Sequence, residues 1–382
     1  MNLKERLGMH EKSQAVQTSR NSASPLEGWL GDISFGAPEY GLYSAMRQNV
    51  PVIDAALDKI VRLTGGFAVE CENPALQGEM DAFVRDVRVG ACSVGLRQFI
   101  ETHFHSLLTY GNAVGEIIPN REGDDIFALY NANLSHIRIR RGESPLEISV
   151  LSSKDGLIFT PIPYPRLVLF TALNPPPGEV KGASLLRSLP FMSDILLKIF
   201  SSIGTNFERI ANLRYAVTYK PGTSVLDKAY AKEIANGISR EWAQAMASSK
   251  SGIIKDFVAV GDVDIKVIGA DNQMIDTGIP IRQVLEQIVA KLGIPPFMLG
   301  LHWSSTERMS TQQADILTSE LESYRALLDG VIRRICDTFL QIKGYGSGMK
   351  VVWDNINLQD EVESANAKFL LAQAENLQSK AK

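Results

Sequence analysis

The sequence predicts an α+β fold, and three observations carry that prediction. Helical patterns near the start of the chain are followed by a run of short strand patterns that ends near Phe170; a smaller β-containing stretch lies between two one-faced helices; and a helical hairpin with a proline stop runs from Ile281 to Phe339. With 382 residues, 45% of them hydrophobic, the chain has material for two or three compact units with a substantial core.

Residues 1–36 are polar, rich in Ser, Gln, Asn and Gly, and have no sustained period. They read as a loose N-terminal arm in which only Trp29 and Leu30 look equipped to dock. Between Tyr43 and Leu63, the apolar positions Met46, Val50, Ile53, Leu57, Ile60 and Val61 predict one helix, ended by Gly65-Gly66 before a short strand from Phe67 to Glu70. Further helices are expected around Glu79 to Val87 and from Leu96 to Tyr110. Beyond Thr109-Tyr110-Gly111-Asn112-Ala113 the strand candidates are Val114–Ile118, the strictly alternating 136–140, Glu147–Leu151, Leu157–Phe159 and Arg166–Phe170. Pro175-Pro176-Pro177-Gly178 closes this α+β unit as a stiff turn. Met192, Ile195, Leu196, Ile199, Phe200, Ile203 and Phe207 then mark one face of a helix, with Pro190 tolerated near its start. Arg214–Tyr219 reads as a strand and Asp227–Ala247 as a helix. Gly252–Val260 and Val263–Ile268 read as two strands joined at Gly261-Asp262, which completes a β-α-β-β insert.

In the hairpin, Ile281, Val284, Leu285, Ile288, Val289 and Leu292 form an apolar stripe, with Arg282, Gln283, Glu286 and Gln287 opposite. Gly293 supplies a left-handed cap, and Pro295-Pro296 forbids continuation because proline lacks the amide donor and clashes with the preceding turn. Ser310-Thr311-Gln312-Gln313 has the spacing of a capping box. From there Leu317, Leu321, Tyr324, Leu328, Val331, Ile335 and Phe339 predict a helix of roughly 45 Å, long enough to span a subunit. A short strand, Met349–Trp353, and a mostly polar helix from Asp360 to Lys382 complete the reading.

Charge and motifs exclude several function classes. A formal net charge of −4 argues against a protein that grips nucleic acid through a strongly basic face. Cys71, Cys92 and Cys336 are far apart, cannot all pair internally and match no metal pattern, which suits a reducing compartment. No apolar run is long enough to span a membrane, and no secretory signal is evident. No P-loop lysine motif, nucleophile elbow or His-Glu-x-x-His zinc motif is present, so an ATPase, hydrolase or zincin lacks its central residues. His103 and His105, two apart on a helix, point to different faces and read as packed or surface residues rather than zinc ligands. Asp262 and Asp264 read as a solvated turn, and Arg138, Arg140 and Arg141 as a solvated strand face.

The order of elements, together with Gln287–Gly300 and its Ile-Val-Ala-Lys-Leu-Gly-Ile-Pro-Pro-Phe-Met-Leu-Gly, resembles the portal proteins of tailed bacteriophages. Gln312-Gln313 stands where the family often has Glu-Gln. Leu108–Ala113 with Glu116, and Trp353 followed by the 360–374 helix, are weaker matches. The resemblance runs from about Tyr43 to Leu377. It implies a wing at 37–182, a stem helix at 183–212, a clip at 213–276, a second stem helix at 277–293 and a tunnel loop at 294–309. The long wing helix and a returning strand would occupy 310–357, with a short crown helix at 358–382. It further implies a homo-oligomeric ring, a dodecamer, at one capsid vertex of the virion, assembled in the host cytoplasm. Double-stranded DNA would pass through it during packaging and ejection. The partners implied are the large terminase subunit, a head-tail adaptor and the major capsid or scaffold protein, with no membrane, cofactor, metal or catalytic residue. The residues implied to meet DNA are Trp303, Ser304, Ser305, Thr306, Glu307 and Arg308. Arg282, Gln283, Glu286, Lys291 and Lys198 would form the polar face of the stem. The competing classes are an oligomeric capsid or scaffold component without a channel and a metal-dependent enzyme.

Overall fold

A computed structural model describes residues 40–142, 147–154, 158–211, 214–219, 263–268, 276–301, 307–346 and 348–356, with a few positions between 230 and 240. The chain divides into two units: one holds the residues up to Lys198 and those from Pro280 on, the other Ile199–Ile279.

The larger unit begins with α1 (Tyr40–Asn49) and α2 (Pro51–Leu63). Where the periodicity predicts one helix there are two, because the ring of Pro51 expels Val50 from the helical region to φ −119°, ψ 91°. The apolar stripe survives the break, and Met46, Ile53, Leu57 and Ile60 are all buried. Next come β1 (Phe67–Cys71), α3 (Gln77–Asp86), β2 (Arg88–Val89), β3 (Ser93–Val94), α4 (Leu96–Tyr110), β4 (Asn112–Pro119) and β5 (Ile126–Asn131). The strand at 126–131 is not among those that the sequence predicts. Asn120 organises the turn before it, its side-chain oxygen accepting the amides of Gly123 and Asp124. Then follow β6 (Ile137–Arg141), β7 (Ile148–Ser152), β8 (Thr160–Pro161) and β9 (Val168–Ala172). The strand expected at 157–159 lies instead at β8, where Thr160 and Pro161 pair with Ser152 and Leu151.

Five strands form a sheet in the order β3-β2-β5-β4-β9, antiparallel except where β2 runs parallel to β5. A second sheet has the order β6-β7-β8. Helix α4 packs on the larger sheet through Phe99, whose ring lies over Gly115, and on its other side Phe104 meets Tyr324 with ring centroids 5.3 Å apart. Buried on both sides, α4 is the axis of the core.

The chain re-enters this unit as α6 (Gly278–Leu292), α7 (Glu307–Ile342) and β12 (Met349–Trp353), which pairs antiparallel with β1. Before that, α5 (Pro190–Ala211) leads into the smaller unit, where β10 (Arg214–Tyr219) and β11 (Val263–Ile268) pair antiparallel, Arg214 opposite Ile268. The helix expected at 227–247 falls mostly, and the strand at 252–260, the arm at 1–36 and the terminal helix at 360–382 entirely, outside the described residues.

Helix α7 buries the expected stripe, Leu317, Leu321, Leu328, Val331, Ile335 and Phe339, and with it an unexpected cation. Arg325 is 4% exposed. Its Nε and Nη2 both donate to the carbonyl of Thr64, at 2.8 and 2.6 Å, at the C-terminal end of α2. The guanidinium also lies 5.2 Å from the ring centre of Trp353 and pairs with Glu322 at 3.0 Å. A positive charge at a helix C-terminus complements its dipole, and a buried carbonyl left without donors costs about 1–3 kcal/mol. Arg325→Ala is therefore expected to destabilise the unit by about 2–4 kcal/mol, and Arg325→Lys, with one compact ammonium, to recover less than half. Urea denaturation of the three proteins checks both.

His103 is fully buried, with Nδ1 3.2 Å from the side-chain oxygen of Asn131 and Nε2 3.0 Å from the Thr171 hydroxyl. Asn131 donates its amide to the Phe99 carbonyl, which orients its oxygen toward His103 and makes Nδ1 the protonated nitrogen. Burial pushes this imidazole down to about 4. The folded state therefore keeps it neutral while the unfolded chain takes up a proton near pH 6.5, so its stabilisation is complete above 6.5 and is lost as pH falls toward 4. That difference corresponds to about 3 kcal/mol. Wild type is expected to lose stability between pH 7 and 5 more steeply than His103→Gln, as compared by denaturation midpoints at the two pH values.

Among the described residues, no group of His, Cys, Asp and Glu side chains could hold a metal ion, and no helix is long and apolar enough to cross a membrane.

Candidate functional site

The link between the body and α5 is tightly constrained backbone. Helix α4 stops at Gly111, whose φ of +74° makes it a left-handed cap and whose amide donates to Leu107 at 2.8 Å. The next residue starts β4, so the chain turns a sharp corner. The segment following β9 crosses this corner. Leu173 donates to the Gly111 carbonyl and Ala183 to the Leu173 carbonyl, both at 2.8 Å. Gly182 donates to the side-chain oxygen of Asn112 at 2.9 Å, and the Ser184 hydroxyl donates to the Thr109 carbonyl at 2.7 Å while accepting the Leu186 amide at 2.9 Å. Thr109, Gly111 and Asn112 of the Thr-Tyr-Gly-Asn-Ala motif thus form a seat for the segment that feeds α5. Glycine is required twice in it: a Cβ on Gly111 would lie 2.5 Å from the backbone of Ala183 and Ser184, and one on Gly182 would overlap the backbone of Gly111 and Leu173.

At the start of α5, Ser193, Asp194 and Leu196 are buried, and Asp194 pairs with Lys198 at 2.7 Å. Further along, two aromatic residues of the apolar face that the spacing predicts stand exposed among the described residues, Phe200 at 50% and Phe207 at 54%; Phe191, at the start of the helix, is 66% exposed. Helix α6 buries Val284, Ile288, Val289 and Leu292. Arg282, Gln283 and Lys291 are exposed, and Glu286 is partly exposed and bonded to Arg282 at 2.9 Å. On α5, the Lys198 side chain is 57% exposed.

The hairpin tip departs from its expected bounds. Gly293 caps α6 at φ +71° as predicted, but Ile294 and Pro295 are buried and Pro296–Leu299 forms a 3-10 turn. Ile294 and Pro295 therefore pack rather than belonging to a free loop. At the other end α7 starts at Glu307, three residues before the predicted Ser310 cap. Glu, Arg and Met at 307–309 are better helix formers than serine and continue the helix upstream, so the Ser310–Gln313 capping box falls inside it. Of the six residues predicted to meet DNA, Glu307 and Arg308 open α7, and Trp303–Thr306 lie outside the described residues. Beside the tip, Val289, Ile294, Pro296 and Ile316 line an apolar groove of about 270 Å³. At 36 residues, α7 is about 54 Å long.

Sequence reasoning missed two residues here. Arg325 carried no signal, since an arginine in a helix reads as surface. Gly182 was invisible because its requirement comes from a crossing some seventy residues away in the chain.

No protein-family model matches the chain, and no curated protein aligns with it. Among solved structures, a chain in the neck of an empty gene transfer agent particle, computed with six-fold symmetry, superposes with a TM-score of 0.61 at 13% identity. The match covers 88% of this chain and 89% of that one. A chain of the native gene transfer agent virion gives 0.61 at 13% identity over 90% of each chain. The native neck computed with twelve-fold symmetry gives 0.59 at 14% over 86% and 88%. A phage portal protein of the HK97 family from Corynebacterium diphtheriae gives 0.44 at 12% identity over 81% and 95%, too loose a likeness to build on. The chain therefore has the fold of a gene transfer agent neck subunit.

Proposed function

We propose that this chain is the subunit of a portal: a homo-oligomeric ring at one capsid vertex that conducts double-stranded DNA during packaging and ejection. The observation that carries the reading is the near end-to-end match to neck chains, in a chain whose α5 exposes Phe200 and Phe207 among the described residues. A closed ring repeats one heterologous contact, so each subunit needs two different complementary surfaces. The Phe200 and Phe207 face of α5 is one, and it meets the neighbouring subunit. Six-fold and twelve-fold neck reconstructions are both compatible with a ring of twelve, which supports the dodecamer.

In this reading the chain performs no chemistry. Arg282, Gln283, Glu286, Lys291 and Lys198 mix both signs along the stem, and the tip residues Trp303–Thr306 touch the duplex without reading sequence. A conduit that neutralised many phosphates would bind DNA tightly and with steep salt dependence, which sliding forbids; a net charge of −4 suits low friction. The packaging motor is a separate terminase, docked with the head-tail adaptor on the ring, and the body contacts the capsid. Mass photometry tests the oligomer: twelve copies of 42.0 kDa give a particle of about 500 kDa, whereas a persistent 42.0 kDa species contradicts the proposal.

A further inference from the structure

The body also carries a groove of about 410 Å³ that the ring reading does not use. It opens between the two sheets, over an apolar floor of Val114, Ala132, Ile137, Ile162 and Val168. Its lining includes one lysine, Lys154, and one carboxylate, Glu116, so apolar burial rather than charge decides what it takes. The same apolar cluster receives Tyr40, the first described residue, whose ring meets that of Tyr110 edge-on at 5.2 Å. Tyr40, to which the 39 preceding residues are joined, thus stands beside the groove.

Within those residues the apolar side chains concentrate in 29–35, Trp-Leu-Gly-Asp-Ile-Ser-Phe. The link from Leu30 to Tyr40 spans at most roughly 35 Å when extended, ample for a groove that shares Tyr40's own cluster. We propose that Trp29–Phe35 dock in this groove of the same chain, with the indole of Trp29 on the Val114–Ile137–Val168 floor. Tethering so near its site gives the segment an effective concentration on the order of mM, so a modest intrinsic affinity suffices. A buried indole contributes a large apolar area and can still donate its N–H to the polar rim, where Tyr130, His136 and Ser152 stand. This inference is independent of the ring reading.

Full-length protein carrying a benzoylphenylalanine photo-cross-linker in place of Trp29 tests it, prepared as a mixture of isotopically light and heavy chains. Cross-links to peptides containing residues 130–137 or 152–168, light to light and heavy to heavy, are expected. Cross-links elsewhere overturn the proposal, and mixed light–heavy products assign the groove to a neighbouring copy and overturn docking within one chain. A second readout is amide exchange in Trp29→Ala, whose substitution lies before the first described helix. Exchange at residues 130–137 is expected to accelerate about tenfold or more. Unchanged exchange there overturns docking.

Discussion

Gly111→Ala and Gly182→Ala are each expected to prevent the body from folding stably, the largest effect of any single substitution considered. At Gly111 two penalties add. The φ of +74° costs an L-residue roughly 1–2 kcal/mol, and the new methyl would sit 2.5 Å from the backbone of Ala183 and Ser184. At Gly182 the overlap is with the backbone of Gly111 and Leu173. Backbone cannot swing aside as a flexible side chain does. Relief would require separating the crossing, with loss of the Leu173–Gly111, Ala183–Leu173 and Gly182–Asn112 hydrogen bonds together. Each loss is worth about 1 kcal/mol, and with the steric cost the total reaches about 4–5 kcal/mol or more, a large part of a domain's usual stability. Gly330→Ala is the control. It lies exposed in α7 with nothing near its added Cβ, and is expected to stabilise by about 0.5–1 kcal/mol. Soluble yield and denaturation midpoints separate the three. Wild-type stability in Gly111→Ala would show that the crossing yields, and would remove the rigid seat from the account of α5.

Replacing Trp303–Thr306 with Gly-Ser-Gly-Ser is expected to leave the ring assembled and to reduce DNA-filled particles to background. The replacement stops at Thr306 because Glu307 already belongs to α7, and cutting into that helix would confound loop function with loss of its first turn. Assembly survives because the surfaces proposed to build the ring lie elsewhere, on α5. Packaging or retention fails because the tip is the part of the hairpin proposed to touch the duplex, and a Gly-Ser segment keeps its length while removing its one large side chain, Trp303. Particle yield by electron microscopy and encapsidated DNA by nuclease protection read the two effects separately. Normal DNA content in intact particles would deny the tip its role. Loss of rings would move Trp303 from the channel to a subunit interface, where aromatic residues are equally at home.

Much of the fold was legible from local chemistry. Helix α4 was placed to its last residue because Gly111 ends it with a left-handed cap and an apolar strand follows. The stripe on α7 was readable because its spacing is helical over seven apolar positions, and the Gly293–Pro296 stop because both residue types forbid continuation. The misreadings have equally local causes. Periodicity carries through Pro51 although the backbone does not, so one helix was expected where two exist. Serine at 310 imitates a cap, yet the residues before it favour helix and win. The strand 126–131 was not predicted, although its apolar residues Ile126, Phe127, Ala128 and Leu129 could have revealed it. What could not be read at all was long-range: Arg325 reaching Thr64 across 261 residues, and Gly182 required by a corner near residue 111. For the candidate site, sequence located the amphipathic faces of α5 and α6. That Phe200 and Phe207 stand exposed among the described residues could not be read from their spacing, which marks them as one apolar face.

The most direct measurement of the central claim is electron microscopy of purified full-length protein, with class averages viewed down the particle axis. The account predicts closed rings, twelve-fold when averaged, with an open central hole wide enough for a B-form duplex. Solitary subunits at high concentration, or closed assemblies without a through-going hole, would contradict it.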